Sequence, residues 1–315
     1  MTRVAAVDCG TNSIRLLIAD PDGAGGLVDV AREMRVVRLG EGVDATGEFS
    51  DEAIERVADA LEGYVEQMVE AGVDTVRMVA TSATRDARNR DEFFAMTADL
   101  LRHVQPGAVA EVISGDEEAR LSFRGAIGGL DPADGPFVVT DLGGGSTEVV
   151  LGDADGGVRG AYSANIGCVR LTERSLKSDP PTLAQTIRAE CYARDELAYA
   201  FGAVDTTPAR TWVGCAGTLT TFAALHQKLA EYDPERIHHS RIPLTDLVGI
   251  CDDLIAMSSA QRLALGPMHP GRADVIGGGA IVTKEIVAFL RRSQVTEMVV
   301  SEHDILDGIV LGLLD

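Results

Sequence analysis

Two short stretches of the chain share one arrangement of apolar and polar positions. Residues 4–20 read VAAVDCGTNSIRLLIAD, and residues 138–153 read VVTDLGGGSTEVVLGD. In each, an apolar run leads to an Asp, a small polar turn follows, and a second apolar run ends at another Asp. Because a glycine-containing turn between two apolar runs is typical of a β-hairpin, the pattern predicts one hairpin in each half of the chain. Aligned without gaps, the stretches share four identical pairs: Asp8 and Asp141, Gly10 and Gly143, Ser13 and Ser146, and Asp20 and Asp153.

Between and beyond the hairpins, strand patterns alternate with helix patterns, which indicates an α/β fold. The clearest helix pattern covers residues 50–72: Ser50 can cap it, an apolar stripe of helical period follows, and Gly72 ends it. Ser114 and Glu117 have the spacing of a capping box at another helix start. The remaining patterns predict strands at 4–7, 14–19, 75–80, 109–113 and 297–300, and a strand ending in WVGCAGT, 212–218. They also predict helices at 91–103, 219–230, 245–257 and from 303, and helical segments near 168–202.

The segment GGLDPADGP, residues 128–136, crowds glycine, proline and aspartate together and has the composition of a linker. The second hairpin follows it at once. We therefore place a domain boundary near residue 126, giving domains of residues 1–126 and 127–315. At these lengths each domain can bury its own core. The two halves are expected to be duplicated α/β domains that face each other across a cleft.

The composition is that of a globular protein, with 45% hydrophobic and 24% charged residues. The formal net charge of −21 argues against non-specific binding of nucleic acid and against binding to anionic membranes. It does not exclude a phosphate site, because backbone N–H groups, a few arginines and a divalent cation can bind an anion on an acidic protein. The five scattered cysteines include no C-x-x-C pair, and Asp8 interrupts any secretory signal. We expect a cytoplasmic protein with free thiols.

The glycine turn in DLGGGSTE, residues 141–148, has a composition suited to binding an anion. Glycines let the backbone approach a ligand and can turn several N–H groups inward, while Ser146 and Thr147 add hydroxyl donors. Taken alone, the motif also fits a plain hairpin with a glycine bulge. Because a matching turn lies at Gly10, a pair of donor loops for a phosphate chain is the stronger interpretation.

Paired hairpins of this kind resemble the phosphate loops of the actin-like ATPase superfamily, and VGCAGT (213–218) resembles its adenosine-side loop. A closer resemblance is to the exopolyphosphatase and guanosine pentaphosphate phosphatase family. It runs from residue 4 to the C-terminus and is carried by seven motifs in the family's order: DCGTNSIRLLIAD, VATSATRDARN, SGDEEARLSF, DLGGGSTEVVLG, VGCAGT, GRADVI and VSEHDILDG. The resemblance implies two actin-like (ribonuclease H-like) domains of the short type and a homodimer. The chain departs from the family at Gly278 and Gly279, where a Pro-Ala type pair is expected.

The chemistry implied is hydrolysis of a phosphoanhydride, which needs an in-line water, neutralised phosphoryl charge and a base. Glu118, the second Glu of GDEEAR, matches the family's catalytic glutamate. Without the resemblance, Glu117 and Glu118 would both be explained as acids that favour a helix N-terminus. We assign Glu117 to the cap.

Asp141 and Glu148 flank the glycine turn, and Mg²⁺ prefers carboxylate oxygens together with water and substrate phosphates. We therefore expect this pair to hold Mg²⁺, with Asp8, the repeat partner of Asp141, as a further candidate. The alternatives are a turn-stabilising Asp for Asp141 and an exposed strand residue for Glu148.

Arg85, in the motif ATSATRDARN, could clamp a phosphate with two donors, or it could form a surface ion pair with Asp86 or Asp91. The remaining candidate phosphate ligands are donors of the two turns and one arginine of GRADVI: Asn12, Ser13, Gly144, Gly145, Ser146, Thr147 and Arg272. All six histidines are interpreted as structural or solvent-facing, and residues 231–243 as a surface loop.

The leading hypothesis is a cytoplasmic, Mg²⁺-dependent exopolyphosphatase that releases orthophosphate from the ends of inorganic polyphosphate. Guanosine pentaphosphate 5′-phosphatase activity is a close alternative, because that substrate ends in the same anhydride. A kinase of the same superfamily would need an acceptor pocket and a full adenine site. A non-catalytic polyphosphate or nucleotide sensor would have no use for the three carboxylates Glu118, Asp141 and Glu148 beside bound phosphate.

Overall fold

The fold is given by a computed structural model that describes residues 2–23 and 25–315. The strands are β1 (Val4–Cys9), β2 (Ser13–Pro21), β3 (Leu27–Val36), β4 (Thr75–Ala80), β5 (Glu111–Val112), β6 (Phe137–Leu142), β7 (Thr147–Gly152), β8 (Val158–Ala164), β9 (Thr211–Cys215), β10 (Arg241–Pro243) and β11 (Glu297–Val300). The helices are α1 (Val43–Thr46), α2 (Asp51–Ala71), α3 (Ser82–Asp86), α4 (Arg90–Leu101), α5 (Gly115–Ala126), α6 (Cys168–Ser175), α7 (Leu183–Ala203), α8 (Ala216–His226), α9 (Pro234–Ile237), α10 (Leu244–Ala256), α11 (Ser259–Leu263), α12 (Ile276–Leu290) and α13 (Ile305–Leu314).

Most predicted elements are present with shifted ends. The helical stretch near 168–202 is divided into α6 and α7 by residues 176–182, and the strand predicted at 109–113 is reduced to β5. The Ser50 side chain accepts from the N–H of Ala53 at the start of α2, and Gly72 ends this helix in a left-handed conformation with φ of 69°. Such a conformation costs glycine little, which explains its place at the helix end. At α5, the Glu117 N–H donates to the Ser114 hydroxyl over 3.2 Å, which is the first bond of the predicted box.

The chain divides into two compact units, one made of residues up to Leu121 together with Ile305–Asp315, the other of Ser122–Asp304. This division differs from the boundary placed near residue 126, because the last helix belongs to the first unit. Ile305, Leu306, Ile309 and Val310 of α13 are buried with Val4, Ala6, Leu17 and Ala19 of β1 and β2. Sequence order could not reveal this long-range packing.

Each unit is built on one mixed sheet. The first has the strand order β3-β2-β1-β4-β5, and the second β10-β11-β9-β6-β7-β8. In both, a central strand (β1 or β6) pairs antiparallel with the next strand of a three-strand meander and parallel with a strand that returns after helices. The register shifts also correspond, lying between Ile18 and Ala19 in one sheet and between Leu151 and Gly152 in the other. The sequence repeat therefore belongs to a duplication of five strands, and the second sheet has β10 as an additional edge strand.

Each sheet packs against its own helices. In the first unit, alternate residues of β1 point to opposite faces: Val4 and Ala6 toward α13, and Ala5 and Val7 toward the core of α2 and α4. In the second unit, the buried core joins the sheet to helices α6, α7, α8, α10 and α12. Within the described residues, no helix combines the length and apolar character needed to cross a membrane.

Some elements were not predicted. The edge strand β3 exposes valines as well as charged residues, and most of β8 is half-buried, so neither sequence has a clear apolar alternation. The predicted surface loop at 231–243 contains α9 and β10, and it buries Ile237 and Ile242 completely. Only the two isoleucines, separated by polar residues, distinguish this segment from a loop in sequence.

Candidate active site

In the second unit, Asp141 lies directly opposite Glu148 in the antiparallel pairing of β6 with β7. Directly opposite residues of such a pair place their side chains on the same face of the sheet. Both are buried, Asp141 at 7% exposure and Glu148 at 1%. Two buried carboxylates on one face form a site with a strong preference for a cation.

Hydroxyl groups hold both carboxylates in place. The Ser122 hydroxyl donates to Oδ2 of Asp141 and the Ser163 hydroxyl to Oε1 of Glu148, each over 2.7 Å. Each hydroxyl supplies one hydrogen bond, and a carboxylate has capacity for several. The bonds orient both carboxylates on this face of the sheet.

The corresponding position in the first unit has a different chemistry. Asp8 is paired with Arg15, its direct partner across β1 and β2, and Oδ2 of Asp8 lies 2.7 Å from Nη2 of Arg15. Arg15 occupies the repeat position of Glu148. The first hairpin thus balances its buried carboxylate with a guanidinium, whereas the second sets two carboxylates side by side.

The two turns have the same backbone bond. The N–H of Gly10 donates to the carbonyl of Ser13 over 2.9 Å, and the N–H of Gly143 donates to that of Ser146 over 3.1 Å. Asn12 and Ser13 lie in the first turn, and Gly144, Gly145, Ser146 and Thr147 lie in or directly after the second. The Thr147 hydroxyl donates to the carbonyl of Ile166 over 2.5 Å, which leaves Ser146 as the side-chain hydroxyl donor of this turn.

Glu118 lies in the first turn of α5 and is 8% exposed. Its Oε2 atom is 2.7 Å from Nη1 of Arg85, and the same nitrogen donates to the carbonyl of Ile113 over 3.1 Å. The structure therefore brings together the predicted catalytic glutamate and a predicted phosphate ligand. Glu117 points elsewhere and pairs with Arg77 over 2.7 Å.

Arg272 lies in the second unit, beside the turn that follows β9. A methyl group on Gly217 would come within 2.2 Å of the Arg272 guanidinium, so a glycine is needed for this contact. Nη1 of Arg272 lies 3.4 Å from the Thr221 hydroxyl of α8. Arg272 thus packs against the Gly-x-x-Gly-Thr turn. The GRADVI motif alone could not predict this, because the residues that contact Arg272 lie elsewhere in the chain.

Comparisons with known proteins establish the family of the chain. The profile of the Ppx/GppA phosphatase family matches residues 17–315. The chain belongs to this family. It is 59% identical to "Exopolyphosphatase 2" of Mycobacterium tuberculosis, over 99% of both chains.

Two solved structures extend the comparison. A crystal structure of an exopolyphosphatase-like protein has a TM-score of 0.92 and 42% identity, covering 99% of this chain and 98% of the other. An exopolyphosphatase from Cytophaga hutchinsonii has a TM-score of 0.88 and 26% identity, covering 100% and 98%. The predicted family, and the predicted class of two duplicated actin-like α/β domains, are confirmed.

The departure of this family member at Gly278 and Gly279 has a packing explanation. A methyl group on Gly278 would lie 2.4 Å from the Thr172 hydroxyl, and one on Gly279 would lie 2.6 Å from Cγ2 of Thr218. The glycines therefore allow α12 to approach α6 and α8 closely.

Sequence reasoning missed several residues that hold the candidate carboxylates: Ser122 and Ser163 in the second unit and Arg15 in the first. Arg15 was within reach, because the gapless alignment of the hairpins already matches it with Glu148. The serines act through pairings that only the folded chain establishes, and no sequence signal distinguishes them from other serines.

The histidines form a cluster that the sequence did not predict. The His238 ring stacks on His239 at 3.7 Å between centroids and lies 4.4 Å from His303. Nδ1 of His238 accepts from the Glu302 N–H, and burial lowers the pKa of His239. These contacts support the structural role expected of the three.

Proposed function

We propose that the chain is an exopolyphosphatase that hydrolyses the terminal anhydride of inorganic polyphosphate and releases orthophosphate. The observation that carries the proposal is the Asp141–Glu148 pair beside the glycine turn. Two fixed carboxylates next to a loop of backbone donors suit a cation-assisted phosphate site. The substrate class is supported by the relatives, since the 59% identical protein and the Cytophaga hutchinsonii structure are both named exopolyphosphatase.

Mg²⁺ is the cofactor that the donor set fits. It prefers octahedral oxygen coordination and commonly uses one or two carboxylates, with water and substrate phosphates completing the shell. Asp141 and Glu148 would hold it, directly or through water. When bound, the ion would neutralise charge on the phosphoryl oxygens. Within residues 2–23 and 25–315, no cluster of three or more His, Cys, Asp or Glu side chains has the arrangement of a metal site.

The first unit supplies the proposed base. Glu118 would orient the attacking water and accept its proton, and its low exposure limits competition from bulk water. Arg85 would stabilise the terminal phosphoryl group, for which its planar pair of donors is suited. In the structure its Nη1 atom is bound to Glu118, so the same contact fixes both groups.

The second unit supplies the proposed phosphate donors. The backbone of Gly144 and Gly145, the Ser146 hydroxyl and, more remotely, Arg272 would bind phosphoryl oxygens. From the first turn, Asn12 and Ser13 would contribute in the same way. Asp8 is already paired with Arg15, so we assign it a supporting role for the turn ahead of direct metal coordination.

One assay separates this proposal from its alternatives: phosphate release from polyphosphate, guanosine pentaphosphate and ATP, each with and without Mg²⁺. We expect Mg²⁺-dependent release from polyphosphate. Preferential release from guanosine pentaphosphate would replace the proposal with the 5′-phosphatase alternative. Binding of polyphosphate with no release from any substrate would indicate a sensor. We further propose a cytoplasmic homodimer, for which sedimentation velocity of the purified chain is the direct test.

A further inference from the structure

The duplication extends to a segment beyond the hairpins. A Val-Arg-Leu sequence follows the third strand of each sheet, at residues 37–39 after β3 and at 169–171 after β8. In the first unit, the N–H groups of Val37 and Arg38 both donate to the carbonyl of Asn12, over 3.0 and 2.9 Å. Arg38 adopts φ of 48° to do so, an unusual conformation for a residue with a side chain.

The second unit makes a similar contact one position earlier in the aligned turn and adds to it. The N–H groups of Val169 and Arg170 both donate to the carbonyl of Gly144, over 2.9 and 3.0 Å, and the N–H of Cys168 donates to that of Gly143 over 3.0 Å. The Arg170 side chain then donates through Nε to the carbonyl of Gly145 over 2.8 Å. Three consecutive carbonyl groups of the turn are thus bound by the start of α6.

This binding determines where the N–H groups of the turn point. In a trans peptide, the carbonyl of one residue and the N–H of the next point in opposite directions. Because the carbonyls of residues 143–145 face α6, the N–H groups of Gly144, Gly145 and Ser146 face the other way. The start of α6 therefore forces three successive donors to the same side, as an anion site requires.

In each unit, a glycine makes this close approach possible. A methyl group on Gly167 would lie 2.5 Å from the carbonyl carbon of Gly144, and one on Gly40 would lie 2.3 Å from Cγ2 of Thr11. Thr11 and Gly144 occupy the same position in the aligned turns. In each unit, a glycine next to the Val-Arg-Leu segment therefore allows this segment to pack against the same position of the turn.

We propose that Arg170 is the positioning residue of the second phosphate turn. Its side chain holds the peptide between Gly145 and Ser146 so that the turn's N–H groups are prepared to bind phosphoryl oxygens. Residues 37–40 act as the backbone counterpart in the first unit. The inference rests on the proposed function only for the identity of the anion, a polyphosphate chain.

A first experiment needs no substitution. Inorganic tripolyphosphate is added to the wild-type chain without Mg²⁺, and backbone amide resonances are followed by NMR. We expect downfield shifts for Gly144, Gly145 and Ser146, and none for Gly143, whose N–H is already bound to the Ser146 carbonyl. No shift at the three amides, or an equal shift at Gly143, would overturn the proposal.

A second experiment tests the Arg170 side chain. Arg170→Met removes every donor, whereas Arg170→Gln keeps an N–H donor at the position of Nε but no charge. Loss of one hydrogen bond of this kind should raise KM for polyphosphate roughly tenfold in Arg170→Met. We expect a smaller rise in Arg170→Gln. Arg174→Met is the control, because Arg174 lies one turn further along α6 and its guanidinium contacts Tyr192.

Each outcome decides one question. An equal rise of KM in the Met and Gln variants would mean that only the charge of Arg170 matters. An equal rise in Arg174→Met would mean that any cation on α6 suffices. Either result overturns the proposal. If the wild-type chain shows the amide shifts but releases no phosphate, the proposed function fails and the anion-binding arrangement of the turn stands. The NMR result also remains valid if Arg170→Met fails to fold.

Discussion

Arg85 and Glu118 are bound to each other, with 2.7 Å between Nη1 and Oε2. Glu118 contributes to the first turn of α5, and Arg85 belongs to α3, where the carbonyl of Ile113 gives its Nη1 atom a second acceptor. A substitution at either residue therefore acts on the other as well. The design of variants has to preserve this contact where it is not the object of the test.

Glu118→Gln meets this condition, because the amide oxygen can still accept from Arg85 while the base is removed. We expect the turnover number to fall by roughly 10²- to 10⁴-fold, the usual effect of losing a general base. Polyphosphate binding should survive. Phosphate release and binding of labelled polyphosphate measure the two effects.

Glu117→Gln is the matched control, since it makes the same change one residue earlier. Glu117 is paired with Arg77 at the partly exposed start of α5, so its loss should cost at most about 1 kcal/mol of stability and little activity. Equal losses of turnover in the two variants would remove Glu118 from its assigned role.

Arg85→Lys should weaken substrate binding. An ammonium group cannot make two parallel bonds to a phosphoryl group, so we expect KM to rise by roughly tenfold or more. Arg88→Lys is the control, because Arg88 is exposed and pairs with Glu48 over 3.2 Å. An Arg85→Lys enzyme with unchanged KM and turnover would return Arg85 to a purely structural role.

Asp141→Asn and Glu148→Gln should each lose most activity and require more Mg²⁺ for half-maximal rate. The physical reason is the loss of one of two carboxylate ligands, and added Mg²⁺ should partly restore at least one variant. The measurement is a Mg²⁺ titration of phosphate release. Asp153→Asn serves as control, because Asp153 lies on the same hairpin but pairs with Arg159. The metal assignment is wrong if neither variant changes the Mg²⁺ dependence.

Thiol chemistry provides a test that is independent of activity. Burial raises the pKa of Cys9 and Cys251 and raises that of Cys168 to about 11, so these thiols stay protonated at neutral pH, whereas Cys191 is exposed. Alkylating reagents react with the thiolate form of a cysteine. Iodoacetamide at pH 7.5 should therefore modify Cys191 in the folded chain, as read by peptide mass spectrometry. Rapid modification of Cys9 would contradict the buried placement of the first turn.

Two glycines in helices should respond to alanine with opposite signs. A methyl group on Gly308 of α13 would lie 2.1 Å from the carbonyl oxygen of Leu121, so Gly308→Ala should lower the free energy of unfolding by about 1–3 kcal/mol. A methyl group on Gly249 of α10 meets nothing within 4 Å, and Gly249→Ala should raise it by up to about 1 kcal/mol. Urea denaturation of both variants tests the docking of α13.

Sequence patterns anticipated the parts of the fold that rest on local signals. The gapless match of the two hairpins predicted a duplication, and the two sheets share the order of five strands and the place of their register shift. The edge strands β3 and β8 were not predicted, because their partly exposed residues do not alternate clearly between apolar and polar. The sequence placed α13 in the second domain, because its apolar residues do not indicate which sheet they cover. In the structure they pack on β1 and β2.

The candidate site was predictable only as a set of residue types. Asp141 and Glu148 could be proposed from a turn flanked by carboxylates, but their direct opposition depends on strand register. The other contacts depend on the folded geometry. They are the ion pair of Asp8 with Arg15, the hydrogen bonds from Ser122 and Ser163, and the hydrogen bond from Arg170 to the turn. Side-chain partners separated by many residues leave no periodic signal in a single sequence.

The return of residues 305–315 to the first sheet has a consequence for synthesis on the ribosome. Residues 122–304 form one continuous unit, so that unit can close its core as soon as it has left the exit tunnel. The first unit emerges earlier but has to wait for Ile305, Leu306 and Ile309 to cover one face of β1. This face of the first unit can therefore be completed only after the second unit has been synthesised. Until α13 arrives, Val4 and Ala6 of β1 lack the helix that buries them in the folded chain.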